Sequence, residues 1–194
     1  MEYNLKYSGP ILFNVKISNP DILRIKKLCE KNKHLQCNDK LAGLIEGEYN
    51  ITDLQALCDI LSPYMKLFRH GYENWYNSTF SKWHMIAAWV NYMVAGECNP
   101  PHIHTDGMFS AVLYTDIPKD LAKESKAFES TGSKPGEIHF TLYPHVDNHI
   151  SMYNKLPEVG DFFIFPAKLV HSVNSFKSKG KRVSVAFNFN VTKV

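Results

Sequence analysis

The sequence predicts a mainly β protein of the α+β kind, with two N-terminal helices laid against an all-β C-terminal half. Three observations lead there. Apolar residues recur at helical spacing in the first third of the chain, and from about residue 83 the period falls from 3.6 to 2. Short β-rich runs then follow one another with turn residues between them, the pattern of a sandwich, barrel or jelly roll. Hydrophobic residues make up 44% and charged residues 21%, which argues for a packed core and against disorder. A length of 194 residues suits one sizeable domain better than two. The expectation is a single domain over 1–194, with N-terminal strands and supporting helices over 1–80 and a β core over 83–192.

In order along the chain, residues 1–18 alternate as two strand-like runs around a Gly9-Pro10 turn. Asn19-Pro20 starts a helix that carries Ile22, Leu23, Ile25 and Leu28. Residues 33–50 are turn-rich. Thr52-Asp53 caps a second helix with Leu54, Leu57, Ile60, Leu61, Tyr64, Leu67 and Phe68 on its apolar side. Pro63 is expected to kink or divide it, and Gly71 to end its regular part, although the following "YENWYNSTF" can continue as helix. "WHMIAAWVNYMV" reads as the first core strand, followed by "MFSAVLYT", "EIHFTLY", "GDFFIFP" and "RVSVAFNFNV". Residues 117–136, rich in Gly, Pro, Ser and Lys, read as a long exposed loop.

Several function classes lose support at once. The net charge of +3 is small and its lysines are spread along the chain, so nothing points to nucleic acid. The N-terminus lacks an apolar signal core, and no apolar run is long enough to span a bilayer. Cys29, Cys37, Cys58 and Cys98 form no CxxC pair. Together these point to a cytoplasmic protein with reduced thiols. Oligomeric state cannot be read from the pattern.

The chemistry is concentrated in the histidines. Of nine, His34, His70 and His84 read as ordinary surface or partly buried residues. His139, His145 and His149 surround one strand and its loop, and one of them is a candidate for a pocket wall. His102, His104 and His171 stand apart. Pro100-Pro101 imposes an extended approach to His102 and His104, which leaves their side chains on one face. His171 follows an apolar strand and a Pro-containing turn, a position that can meet the His-x-His pair at a strand end. Such a trio suits a late first-row metal, with iron or zinc both open by ligand type. Arg182 and Ser184, two apart on one strand face, form a guanidinium fork plus a hydroxyl, suited to a carboxylate tail. A plain zinc hydrolase has no use for that pair.

The stretches "WVN", "PPHIH", "FSAVLY", "GDFFIFPAKLVHSV" and "KRVSVAFN" resemble the 2-oxoglutarate and Fe(II)-dependent oxygenase superfamily, and more narrowly its small members from bacteria and bacteriophages. The likeness is closest over residues 83–190, and "LAGLIEGEYNI" extends it toward the N-terminus. It implies a double-stranded β-helix (a jelly roll, cupin-like) and an iron site. It also implies 2-oxoglutarate and O2 as cosubstrates, with Arg182 and Ser184 on the 2-oxoglutarate carboxylate and Asn91 and Tyr114 as further contacts. The reaction implied is hydroxylation of a C–H bond with release of succinate and CO2. The substrate, a peptide side chain or a small molecule, is not legible. Two ligand sets stay open: the narrower resemblance selects His102, His104 and His171, while the general His-x-Asp pattern selects His104, Asp106 and His171. The first is preferred. Alternatives to the enzyme reading are a cupin-like binding module, or a three-histidine isomerase or dioxygenase that does not use 2-oxoglutarate.

Overall fold

In the computed structural model, which describes residues 9–37, 41–129, 132–142 and 152–194, the chain lays down ten strands and three helices. They are β1 (Phe13–Lys16), α1 (Asn19–Lys31), β2 (Glu48–Asn50), α2 (Leu54–Tyr76), β3 (Phe80–Met93), β4 (Asn99–His102), β5 (Phe109–Asp116), α3 (Leu121–Ala127), β6 (Ile138–Thr141), β7 (Met152–Lys155), β8 (Asp161–Pro166), β9 (His171–Val173) and β10 (Arg182–Lys193). A six-stranded sheet runs β1-β8-β5-β10-β3-β2, and a four-stranded sheet runs β4-β9-β6-β7. All the pairings are antiparallel. The two sheets form the jelly roll, with α1 and α2 against the outer face of the larger one. The expected strand run in residues 1–8, together with Tyr143, His145 and His149, lies outside the described residues.

The central strands are buried on both faces, and their period-two alternation divides two cores. Val183, Val185, Phe187 and Phe189 of β10 join Val90, Leu113, Phe162 and the helix residues Ile25, Leu61 and Phe68 in one cluster. The opposite face of the same strands contributes Met93, Val112, Tyr114, Phe163 and Phe165 to a second cluster between the sheets, with Ile138, Phe140 and Val173 from the smaller sheet.

Ser18 caps α1 by accepting the Asp21 N–H, and Pro20 occupies its first turn. Ile22, Ile25 and Leu28 are buried, whereas Leu23 faces solvent at 60% exposure. Asp53 caps α2 through the Ala56 N–H. Neither Pro63 nor Gly71 ends α2, which continues to a left-handed Asn77. A helix-interior proline costs about 3 kcal/mol. Seven buried side chains on the inner face, from Leu57 to Tyr72, outweigh it. Gly71 is a packing glycine: a Cβ there would sit 3.0 Å from the Phe13 ring.

The segment 117–136 is not wholly an exposed loop. It contains α3, anchored by the fully buried Leu121. Gly136, at φ +73°, passes so close that a Cβ would lie 2.7 Å from Leu121. Glu124 accepts the backbone N–H groups of Lys177 and Ser178 at 2.8 Å each, tying α3 to the loop before β10. None of the four cysteines is in a disulfide, and no helix among the described residues is long and apolar enough to cross a membrane.

Phe68 joins the helices to the larger sheet: fully buried, its ring meets those of Phe13, Tyr72, Phe80, Phe109 and Phe189. Phe68→Ala is expected to lower the unfolding free energy by about 3–5 kcal/mol, read from the urea midpoint at unchanged slope. A loss below about 1 kcal/mol would show that this contact does not anchor the helices.

Candidate functional site

Strand pairing carries two of the histidines to one place. β4 and β9 are antiparallel neighbours, and His102 stands directly opposite His171 in their register. His104 lies two residues beyond, held extended by its N–H donating to the Ala167 carbonyl at 2.8 Å. Ring centroids are 4.2 Å apart for His102 and His171, 5.1 Å for His104 and His171, and 5.2 Å for His102 and His104. One ligand atom from each of the three lies within 4.8 Å of the others.

The tautomers follow from the partners. His102 Nδ1 lies 2.7 Å from the Pro100 carbonyl and His171 Nδ1 lies 2.9 Å from the Leu169 carbonyl. A carbonyl can only accept, so each Nδ1 carries the proton and each Nε2 keeps its lone pair. Burial pushes His171 down to about 3, with His102 nearby adding to the effect. Burial and the neighbouring His102 push His104 down to about 4, and burial lowers His102 as well. The cluster is therefore neutral at pH 7, the state a metal requires. The Phe165 ring packs 4.7 Å from His171, and Trp89 packs 5.4 Å from His104.

The floor of the same cavity, about 50 Å3 in volume, is the inner face of the larger sheet. Ser184 pairs in register with Asn91 on one side and Tyr114 on the other, so the three form a row across β3, β10 and β5. Arg182, at 2% exposure, lies two residues along β10 on the same face. Its Nη2 donates to the Tyr114 hydroxyl at 3.2 Å, and its guanidinium sits 4.7 Å from the centre of that ring. Arg182 makes no ion pair among the described residues, and its Nε has no hydrogen-bond partner. A buried guanidinium left in that state is costly, and an incoming anion relieves it. Asn91 Oδ1 is likewise unpartnered.

Of the residues singled out in the sequence, His102, His104, His171, Arg182, Ser184, Asn91 and Tyr114 all line one cavity. Asp106 is exposed on the turn before Gly107 and lies outside the histidine cluster. His34, His70 and His84 are exposed. His139 is half-buried on β6 with Nε2 unpartnered, away from the cavity lining. Glu48 was missed. It is 1% exposed, lines the cavity, and its Oε2 has no partner. Burial, with Glu97 nearby, pushes its carboxyl up to about 7. The only signal was alternation in "GEYNI", which is too short to separate a buried glutamate from a surface one.

A family model described as "Putative 2OG-Fe(II) oxygenase" matches residues 87–188, more than half of the chain. No curated protein matches the chain. Among solved structures, a prolyl-4-hydroxylase from Pseudomonas putida is similar, with 15% identity over 91% of this chain and 91% of that one at a TM-score of 0.58. So is a viral collagen prolyl hydroxylase from Paramecium Bursaria Chlorella virus-1, with 13% identity over 92% and 94% at 0.56. HygX from Streptomyces hygroscopicus shares 9% identity over 92% and 82%, also at 0.56. At such identities the likeness is one of fold, and it is the jelly roll that they share. The sequence match spans β4, β5, β8, β9 and the start of β10, and so every residue that brings the histidines and Arg182 together: the chain belongs to the 2OG-Fe(II) oxygenase family, whose enzymes use Fe(II), 2-oxoglutarate and O2.

Proposed function

We propose that residues 1–194 form one oxygenase domain that hydroxylates a C–H bond of a peptide side chain or a small molecule, in a reducing cytoplasmic setting. The observation that carries the reading is the placing of three neutral imidazoles in the same cavity as a buried guanidinium that has no counter-ion among the described residues. His102, His104 and His171 would hold the iron, since their three ligand atoms already converge and two of the rings are fixed with Nε2 bare. When bound, Fe(II) with 2-oxoglutarate supplies the oxidation: one oxygen atom of O2 goes to succinate, formed with loss of CO2, and the other to the substrate hydroxyl.

The chain's own residues do the positioning. Arg182 would pair with the far carboxylate of 2-oxoglutarate. The Tyr114 hydroxyl accepts from Arg182, which leaves its own proton free for the same carboxylate. Ser184 and Asn91 extend this polar row toward the opposite edge of the sheet. Phe140, Phe165 and Trp89 shield the histidine side from water.

His171→Ala is expected to abolish Fe(II) or Mn(II) binding measured by calorimetry. His102→Ala should do nearly the same, while Asp106→Asn should hold affinity within about tenfold. The reverse order would make Asp106 the third ligand. Arg182→Ala should leave the metal in place and weaken 2-oxoglutarate by about 2–5 kcal/mol, seen by titrating the Mn(II)-loaded protein. Affinity equal to wild type would remove Arg182 from the cosubstrate site.

A pH test follows from the lowered histidine values. His104 and His171 are neutral when folded down to about 4 and about 3, whereas the unfolded chain takes up their protons near 6.5. Their contribution to stability is therefore present above 6.5 and lost as pH falls below it, at about 1.4 kcal/mol per pH unit per group. Glu48, raised to about 7, acts in the opposite direction over the same window. Thermal melting of the metal-stripped chain should fall from pH 6.5 toward 4.5, and less steeply in His171→Ala. A slope unaffected by that variant would contradict a buried neutral His171.

A further inference from the structure

The polar row on the cavity floor does not end at Asn91. Glu48 of β2 stands opposite Asn91 in the register, on the same face. Residues 41–45 close over it. A Cβ on Gly43 would lie 2.6 Å from Glu48 Oε1, and the Leu44 N–H donates to the Cys98 carbonyl at 2.9 Å. Glu48 makes no ion pair among the described residues, and Oε2 has no hydrogen-bond partner although the side chain is 1% exposed. Asn99 Oδ1, in the same cavity, is also buried and unpartnered. A buried carboxyl without a partner is costly, and a cationic N–H donor beside it would both supply the missing hydrogen bond and hold the group ionised.

The cosubstrate does not supply one. Tyr114, Ser184, Asn91 and Glu48 sit on four neighbouring strands, β5, β10, β3 and β2. At about 4.8 Å per strand, Glu48 stands roughly 14 Å from Tyr114 along the row. A five-carbon dicarboxylate is roughly 7 Å long. Held at Arg182 and Tyr114, it ends short of Glu48, and as a dianion it would be repelled there. The cavity is thus divided: a guanidinium and a phenol at one end, unpartnered acceptors at the other. The acceptor end is left for a molecule of the opposite character.

We propose that the primary substrate carries a cationic nitrogen group, an ammonium or guanidinium, that seats against Glu48 with Asn99 accepting a further N–H. This rests on the placing of 2-oxoglutarate at Arg182. Glu48 is then a specificity residue: it selects the substrate and does not touch the reacting C–H bond.

The test uses the full chain loaded with Mn(II) and 2-oxoglutarate. Calorimetry would compare blocked arginine and lysine (N-acetyl amides) with blocked citrulline and norleucine, their uncharged matches. The expected result is that at least one cationic probe binds at least tenfold tighter than its match. Glu48→Gln should erase that preference while still taking up 2-oxoglutarate, which shows that the variant is folded. Normal 2-oxoglutarate binding with no preference for cationic probes in the wild type would overturn the inference alone, as would a preference that survives in Glu48→Gln. A wild-type chain that takes neither 2-oxoglutarate nor any cation would overturn the cosubstrate reading and the inference with it.

Discussion

A strand buried on both faces sends alternate residues into two separate environments, and β10 with its neighbours β3 and β5 does this along most of its length. Val183, Val185, Phe187 and Phe189 close the core beneath the helices. Between them, Arg182, Ser184 and Asn188 bring polar groups into the space between the sheets. Register is therefore constrained from both sides. A slip by one residue would drive a guanidinium into the helix core and strip the cavity of its anion partner. The helices are as much a part of the site as the strands, since they make one face of β10 intolerant of anything polar.

The smaller sheet works differently. Its strands are short, and one begins with Asn99-Pro100-Pro101, so ladder hydrogen bonding there is weak. Precision comes from side chains: aromatic packing on His171 and His104, and carbonyl acceptors behind His102 and His171. Burial keeps these rings uncharged, while Arg182, buried beside the Tyr114 hydroxyl, has no counter-ion among the described residues. One low-dielectric space therefore favours a cation at its histidine end and an anion on its floor.

Much of this was legible in the chain. The long core strands announce themselves because both faces are apolar or β-branched over six or more residues, and His-x-His with a later histidine and Arg-x-Ser is a specific spacing. What stayed hidden was short or non-local. β2, β7 and β9 have three or four residues each, too few to show a period. α3 is set by one buried leucine in a segment whose composition reads as loop. The continuation of α2 through Pro63 and Gly71 is decided by packing against the sheet, which local propensity does not contain. Glu48 escaped notice because its burial depends on residues 41–45 folding back over it, and no pattern in "EYN" encodes that.

The two hydrogen bonds behind the histidines have a consequence for how the centre matures. Each acceptor lies two residues upstream of its own ring, Pro100 for His102 and Leu169 for His171. Each ring is thus oriented by a contact within its own segment, independent of the pairing between the two strands. Once β4 and β9 pair, both lone pairs are already aimed inward, with no ring to rotate and no proton to expel from them. An ion held there, as proposed, would have to shed its water but would find both ring nitrogens already turned toward it. On the proposed ligand set, the metal-free chain would differ from the loaded one by the ion alone and not by the setting of these two rings.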